Sequence, residues 1–288
     1  MTGTTRSGPD SPVPAEGFDP RSVPVRDAAT VMVVRDGAEG LEVFMLRRTL
    51  AAVFAGGMFV FPGGAVDDAD RSPDVESWCD GLDDRHASRL LAVGEGGLGF
   101  WIAAIRECFE EAGVLLARGS DGDVVRFDDP TVERRFLAYR DALHHGTLRL
   151  VELCATEGLR LTTDDIHYVS HWITPIGEPR RFDTRFFVAR APEAQQPLHD
   201  DHETIASLWV RPADALDRHQ RGDLAMIAPT RNNLELLVPH ATAEDALGAL
   251  AEIGPPPTIQ PKLRLDEHGQ LEVVMPSDPD FADLPDLA

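Results

Sequence analysis

The segment 100–117 constrains the fold most strongly, because its apolar residues recur at helical spacing. The apolar stripe consists of Trp101, Ile105, Cys108, Ala112 and Leu115. A helix with such a stripe buries it against other elements of the fold. We therefore predict a helix over 100–117 with one buried face, ending at the polar, glycine-containing run 118–123.

The same helix carries three glutamates, Glu107, Glu110 and Glu111, at offsets of three and four residues. Side chains at these offsets share a helix face, so the three carboxylates converge and repel one another. A hard divalent cation such as Mg²⁺ prefers oxygen ligands and is often shared between carboxylates and a substrate phosphate. The pattern indicates either a metal site or a solvated acidic face, and an isolated string of this kind is more often the latter.

Strand and helix patterns alternate along the chain without a repeated unit, which predicts one α/β domain with a mixed sheet between helices. Strands are expected at 28–34, 41–46, 55–64, 166–174, 181–189, 204–210, 258–265 and 271–275. Further helices are expected at 83–91, 131–145 (capped by Thr131), 212–221, 231–238 and 243–253. The segment 35–40 is predicted to be a hairpin turn, and the glycines around 55–64 to allow close backbone approach.

Composition sets the domain limits. Residues 1–26 are rich in Pro, Gly, Ser and Thr and are predicted to be a disordered arm. The domain is expected over 27–254, with an acidic insertion at 71–98 and a partly disordered extension at 255–288. We expect the insertion either to cover the site as a lid or to build a dimer contact.

The charge balance restricts the partners. Asp and Glu number 49 against 27 Lys and Arg, so the formal net charge of −22 argues against a nucleic-acid surface. A small phosphorylated ligand remains compatible, because a bound divalent cation inverts the local field. No apolar secretory leader and no run of about 18 apolar residues is present, so we expect no membrane partner. Three cysteines, far apart in the sequence, favour a reducing cytoplasm.

The string R-E-C-F-E-E-A-G-V at 106–114 resembles the end of the Nudix box, G-x5-E-x7-R-E-U-x-E-E-x-G-U, in which U is apolar. Gly64, followed by Asp70, resembles its beginning, with Asp70 standing where the family has Glu. Asp70 and Arg106 are separated by 35 residues, 71–105, where the usual box has seven. This interrupted box resembles the branch that includes the mammalian peroxisomal coenzyme A diphosphatase.

Three further strings, F-P-G-G-A-V-D-D-A-D, R-F-D-T-R-F-F and P-T-R-N-N-L, also resemble that branch, so the similarity extends over roughly residues 27–240. The resemblance implies a Nudix-type α/β/α sandwich with an insertion inside the box. It implies metal-dependent hydrolysis of a diphosphate bond in a nucleoside-diphosphate derivative. The leading substrate is coenzyme A or acyl-coenzyme A, giving 3′,5′-ADP and 4′-phosphopantetheine. The alternatives are an ADP-sugar or dinucleotide pyrophosphatase, and a nucleotide-sensing module without catalysis.

Carried over by position, the resemblance makes Glu107, Glu110 and Glu111 ligands of Mg²⁺ or Mn²⁺, with Glu110 and Glu111 also catalytic. Arg106 would orient these carboxylates, and the backbone of Gly63 and Gly64 would line the metal and phosphate site. The role of Asp70 is left open, because its side chain is one methylene shorter than that of Glu.

A second acidic run, H-D-D-H-E at 199–203, precedes the strand that ends near Trp209. Many family members place a further carboxylate here as a base or an additional ligand, and Glu203 is the candidate. A solvated charged loop explains the string equally well. His199 and His202 are less favoured as ligands of a transition metal.

Arg180, Arg181 and Arg185 surround a predicted strand. They either clamp a terminal phosphate, such as the 3′-phosphate of coenzyme A, or pair with acids such as Asp183. The aromatic residues Trp172, Phe182 and Phe186 suit an adenine stack, but burial in the core is favoured. The expected partner is thus a small nucleotide, with a homodimer as a further expectation. The C-terminal Pro-Asp-Leu-Ala is no peroxisomal address, so the cytoplasm is the expected location.

Overall fold

The computed structural model describes residues 19–50, 55–197, 199–200 and 203–285. Most of the predicted N-terminal arm, residue His202 and the end of the predicted C-terminal extension lie outside these ranges. Strands β1 to β12 are Val25–Gly37, Gly40–Arg48, Phe59–Val60, Gly63–Ala65, Ala117–Arg118, Arg160–Leu161, His167–Ile173, Arg181–Arg190, Thr204–Val210, Thr258–Ile259, Lys262–Leu265 and Leu271–Val274. Helices α1 to α7 are Asp84–Leu91, Leu98–Ala112, Pro130–His144, Leu150–Glu157, Pro212–Gln220, Ala228–Leu237 and Ala243–Ala251.

The predicted α/β class with a mixed sheet is confirmed, and helices lie on both sides of the sheet. The described residues form two compact units by their contacts. The larger unit consists of Ala28–Ser170 and Arg185–Pro256, and the smaller one contains His171–Thr184 and the described part of Pro257–Ala288. In the smaller unit, β10 pairs in parallel with the end of β7, and β11 and β12 form an antiparallel hairpin.

The larger unit is built around the antiparallel hairpin of β1 and β2. The hairpin was predicted, but its strands are longer than expected and only residues 38 and 39 connect them. Gly37 and Gly40 form the last pair of the ladder. Gly40 has a φ of 116°, a backbone conformation that residues with a side chain rarely adopt. A tight turn therefore replaces the six-residue loop that was expected.

The glycine-rich segment after β2 folds differently from the single strand predicted over 55–64. It forms a turn at 55–57 and two short strands, β3 against β2 and β4 against β1. Pro62 separates the two strands because it has no N–H for a ladder. Its carbonyl accepts a hydrogen bond from Val31 (2.9 Å), so the segment crosses to β1 and presents Gly63 and Gly64 there.

The central helix α2 begins two residues earlier and ends five residues earlier than predicted. Gly113 terminates it in the left-handed conformation (φ 68°), and its N–H donates to the carbonyls of Cys108 and Phe109. Glycine adopts this conformation without a steric penalty, which makes it a common helix terminator. Residues 114–117 stay buried after the helix has ended, which explains why the apolar pattern continues past it.

The insertion at 71–98 supplies part of the core. The predicted helix over 83–91 is confirmed as α1, capped by the carboxylate of Asp83. Ala87 and Leu91 from α1, together with Val75 and Cys79, are buried in the same apolar cluster as α2. The lid and dimer roles of the insertion stay predictions.

The remaining helices agree closely with their predicted ranges, with two differences. Helix α3 is capped by Asp129 and not by Thr131, because Asp129 accepts from the N–H groups of residues 131 and 132 (2.7 and 3.1 Å). Helix α4 was not predicted. Within the described ranges, no helix has both the length and the apolar character that a membrane crossing requires.

The start of α2 is held by a residue of the insertion. Gly97, at the N-cap position, provides no side chain to bond the first N–H groups of the helix. The carboxylate of Asp84 on α1 caps the helix in its place. It accepts hydrogen bonds from the N–H groups of Leu98 (2.9 Å) and Gly96 (3.0 Å).

We predict that Asp84→Ala lowers the free energy of unfolding by about 1–3 kcal/mol, because it leaves the N–H of buried Leu98 without a partner. Chemical denaturation followed by circular dichroism measures the change. Asp217→Ala is the control, since it removes only an exposed ion pair with Arg221 and should change stability by less than about 1 kcal/mol. Equal effects of the two substitutions would contradict the capping role.

Candidate active site

The acidic face of α2 packs against β4, where the glycine-rich segment passes. The N–H of Gly63 donates a 2.9 Å hydrogen bond to Oε2 of Glu111, whose side chain is 6% exposed. Gly64 is required beside Glu107, because a Cβ atom at Gly64 would lie 2.4 Å from Oε1 of Glu107. The two predicted glycines and two of the predicted acids therefore lie together.

Arg106 is the hub of the ionic contacts at this face. Its Nη1 lies 2.8 Å from Oε1 of Glu107 and 3.3 Å from Oε1 of Glu110. Its Nη2 donates to the carbonyl oxygen of Ala65 (2.9 Å). The guanidinium thereby fixes two of the three glutamates relative to β4, as expected for an orienting residue.

Asp70 has a defined position in spite of the insertion that follows it. Its carboxylate receives two hydrogen bonds from Arg106, from Nε and from Nη2, both at 2.9 Å. It also accepts from the N–H of Asp67 (2.8 Å), and only 2% of its side chain is exposed. Asp70 is thus the buried counterion of Arg106, which joins the beginning and the end of the interrupted box.

Arg48, at the end of β2, was missed by the sequence analysis. Its Nη1 lies 3.7 Å from Oε1 of Glu111, and its Nη2 lies 3.2 Å from Oε2 of Glu203. Glu203 is 54% exposed and lies just before β9. The structure therefore brings the predicted Glu203 to the box helix through an arginine that was not predicted.

Arg140 on α3 was also missed. It donates to the carbonyl oxygens of Glu110 (2.8 Å) and Glu111 (2.9 Å), at the end of α2. A cation at a helix C-terminus stabilises the unpaired carbonyls there. The local sequence around Arg140 gives no signal of this contact, because it depends on how α3 packs on α2.

Burial determines the electrostatics of the three glutamates. It raises the pKa of Glu107 to about 7, a rise that Arg106 opposes and Glu110 reinforces. Burial likewise raises the pKa of Glu110 and Glu111, and the charge of Glu107 raises that of Glu111 further. The pKa of Arg106 is itself raised, because Asp70 and the nearby glutamates outweigh the effect of burial.

The site thus contains more carboxyl groups of low exposure than Arg48 and Arg106 would offset if all of them were ionised. In the described ranges, no three His, Cys, Asp or Glu side chains are arranged as a metal-binding group. The three glutamates are instead held by other partners. Arg106 donates to one oxygen each of Glu107 and Glu110, and the N–H of Gly63 donates to Glu111.

The other predicted binding residues are placed as follows. Arg181 and Arg185 are buried, whereas Arg180 is exposed. Arg181 donates to the carbonyl of Thr174 (3.1 Å), and the guanidinium of Arg185 lies 5.4 Å from the ring centre of Phe100. Their role as a phosphate clamp stays a prediction.

Asp183 contacts the ring of His171 (2.7 Å). Trp172 and Phe186 are buried, as favoured from the sequence, whereas Phe182 is only half-buried. Nδ1 of His199 lies 3.3 Å from the hydroxyl of Ser207. His202, its proposed companion in a transition-metal site, lies outside the described residues.

Comparison with known proteins identifies the family. The profile described as the NUDT19 Nudix domain matches residues 91–237, half of the chain. A crystal structure of a NUDIX hydrolase from Alicyclobacillus acidocaldarius is similar with a TM-score of 0.65 and 30% sequence identity, covering 81% of this chain and 100% of that one. The chain belongs to the Nudix hydrolase family. The matched residues include all of helix α2, with Arg106 and the three glutamates of the site.

Curated relatives of this Nudix hydrolase include the acyl-coenzyme A diphosphatase NUDT19 of Homo sapiens, which is 27% identical over 72% of this chain. NUDT19 of Gallus gallus is 27% identical over 74% of the chain. The alignments cover 63% of the human protein and 68% of the chicken protein.

We predict that Asp70→Asn destabilises the protein by about 3 kcal/mol, because it leaves the buried guanidinium of Arg106 without its main counterion. Thermal and urea unfolding measure the loss. Asp68→Asn, an exposed neighbour in the same short 3-10 helix, is the control and should have little effect. If the two variants were equally stable, Asp70 would not be the counterion that matters.

The raised pKa of Glu107 predicts a pH dependence of the metal-free protein. Between pH 4.5 and about 7, this carboxyl is protonated in the folded state and ionised in the unfolded chain, so its contribution to stability falls as pH rises. We expect Glu107→Gln to gain roughly 1–3 kcal/mol relative to wild type between pH 5 and 7.5.

Urea unfolding in the presence of a chelator at both pH values measures this change in relative stability. Glu133→Gln, which alters an exposed glutamate on α3, should keep a constant difference from wild type. A constant difference for Glu107→Gln as well would show that Glu107 has an ordinary pKa.

Proposed function

We propose that this Nudix hydrolase cleaves the diphosphate bond of coenzyme A or acyl-coenzyme A with the help of Mg²⁺ or Mn²⁺. The observation that carries the proposal is the buried carboxylate cluster of the box, whose pKa values are raised by burial and, for Glu107 and Glu111, further by neighbouring carboxylates. Such a cluster suits a cation that in turn binds a diphosphate.

The donor chemistry fits a hard divalent ion. Glu107, Glu110 and Glu111 offer carboxylate oxygens of low exposure beside the backbone of Gly63 and Gly64. In this proposal these three glutamates would hold the ion. When bound, the ion would polarise a phosphoryl oxygen and lower the pKa of a bound water.

The residues of the chain then have separate tasks. Arg106 orients Glu107 and Glu110, while the N–H of Gly63 holds Glu111 at the edge of the sheet. Glu203, half-exposed next to Arg48, accepts the proton of the attacking water at its carboxylate. A carboxylate open to solvent on one side can pass this proton on after the reaction.

The choice of substrate is supported by similarity, since relatives named acyl-coenzyme A diphosphatase match across most of the chain. The products would be 3′,5′-ADP and 4′-phosphopantetheine or its acylated form. Arg180, Arg181 and Arg185 remain proposed contacts for a terminal phosphate. An ADP-sugar or a dinucleotide is the alternative substrate, and a nucleotide sensor is the non-catalytic alternative.

The proposal includes a small nucleotide as the partner and the cytoplasm as the location. The three cysteines are free and buried, which suits a reducing compartment. Association as a homodimer stays a prediction.

The direct test is turnover of a substrate panel by the purified protein with Mg²⁺ or Mn²⁺, using coenzyme A, acetyl-coenzyme A, ADP-ribose and a diadenosine polyphosphate. We expect coenzyme A compounds to be hydrolysed fastest, and ¹⁸O from water to appear in one phosphate product. Rapid hydrolysis of ADP-ribose without hydrolysis of coenzyme A would reassign the substrate. Nucleotide binding without any hydrolysis would favour the sensor.

Glu111→Gln tests the cluster itself. We expect kcat to fall at least about a hundredfold, since even residues that only support metal ligands cost 10–100-fold when changed. The amide is the same size and can still accept from Gly63, so the fold should persist by circular dichroism. The exposed Glu133→Gln should retain full activity. Full activity of Glu111→Gln would place the reaction elsewhere.

A further inference from the structure

Arg48 lies between two carboxylates from different parts of the chain. Its two terminal nitrogens face different partners, Nη1 facing Glu111 on α2 at 3.7 Å and Nη2 facing Glu203 before β9 at 3.2 Å. The Arg48 side chain is 21% exposed, compared with 6% for Glu111 and 54% for Glu203. The guanidinium therefore joins a buried acid to one that reaches solvent.

The strand geometry accounts for this placement. Strands β2 and β9 pair regularly from Val43 to Arg47, and the register then shifts between Arg47 and Arg48. An irregularity of this kind re-aims the side chain beside it. Arg47 remains exposed and donates to the carbonyl of Gly57 (3.3 Å), whereas Arg48 is half-buried at the carboxylates.

The backbone reinforces the same junction. The N–H of Thr49 donates to the carbonyl of Glu203 (3.0 Å), one residue beyond the paired Arg48 and Thr204. This bond fixes the main chain of Glu203 next to Arg48, but it leaves the carboxylate free to rotate. Without a cation between them, the carboxylates of Glu203 and Glu111 would repel each other.

The charges of Arg48 and Glu203 both act on Glu111, as their positions predict. Glu203 contributes to the raised pKa of Glu111, and Arg48 opposes the rise. Two donors in a fixed planar fork can hold two separate carboxylates at a defined angle, which a lysine cannot do.

We propose that Arg48 is a positioning residue that holds the carboxylate of Glu203 beside Glu111, where it takes the proton from water. The proposal rests on the hydrolytic function proposed above. It assigns Arg48 to the proton-transfer step and not to the binding of substrate phosphate, because both terminal nitrogens already face protein carboxylates.

The test compares Arg48→Gln with the neighbouring Arg47→Gln, which makes the same change of charge on the exposed side. For Arg48→Gln we expect kcat to fall about tenfold or more while KM changes less than about twofold. Arg47→Gln should match the wild-type enzyme. A large rise in KM with an unchanged kcat would overturn the proposal and make Arg48 a substrate-binding residue.

A double-mutant cycle with Glu203→Gln separates positioning from an independent role. If Arg48 acts through Glu203, the double variant loses no more activity than Glu203→Gln alone. Arg48→Lys should regain part of the kcat that Arg48→Gln loses, because lysine restores the positive charge but not the planar guanidinium. Independent, multiplicative losses from Arg48→Gln and Glu203→Gln would overturn the proposal.

A measurement without turnover distinguishes failure of this proposal from failure of the proposed function. Titration of Mn²⁺, followed by electron paramagnetic resonance, should show about fivefold tighter binding by Arg48→Gln than by wild type, because a positive charge near Glu111 is removed. Arg47→Gln should bind as wild type does. If none of the substrates in the panel is hydrolysed, the proposed function fails. If all three proteins bind Mn²⁺ equally well, the contact of Arg48 with the carboxylate cluster is refuted.

Discussion

The buried ion pair between Arg106 and Asp70 is the contact on which the site depends. Burying two charges is costly unless their hydrogen bonds are satisfied, and here both oxygens of Asp70 receive bonds from Arg106. Because Asp70 precedes the insertion and Arg106 follows it, the pair closes a box that 35 intervening residues (71–105) would otherwise separate. The remaining nitrogens of Arg106 are then oriented toward Glu107, Glu110 and the carbonyl of Ala65.

The insertion is compatible with this closed box because it contacts the start of α2 and its apolar face. It provides the cap at Leu98 through Asp84, and it covers the apolar face of α2 with residues such as Ala87 and Leu91. The acidic face is thereby left to β4 and the glycines. Helix α2 thus serves two functions with two faces, one for the core and one for the carboxylates.

Periodicity in the sequence was enough to predict the acidic face, the hairpin and most helices, because these depend on neighbours within a few residues. Glu107, Glu110 and Glu111 lie together because helix pitch puts them together. Arg48 and Arg140 could not be predicted in this way, since each meets the site through packing between distant elements. The end of α2 was misplaced for a related reason, because residues 114–117 are buried but not helical, and burial alone does not distinguish a helix from a buried segment of another conformation.

The charge balance of the site also bears on what it can accept. Among the described residues of the site, two guanidinium groups, Arg48 and Arg106, lie beside four carboxylates of low exposure. These carboxylates belong to Asp70, Glu107, Glu110 and Glu111. A diphosphate would bring further negative charge to a cluster that already has an excess, and burial makes that repulsion stronger than in water. Divalent cations offset both sets of charges at once. Burial raises the pKa of Glu107, and the neighbouring Glu110 and Asp70 add to the rise. These neighbouring acids are the reason to expect that substrate and cation enter this site together.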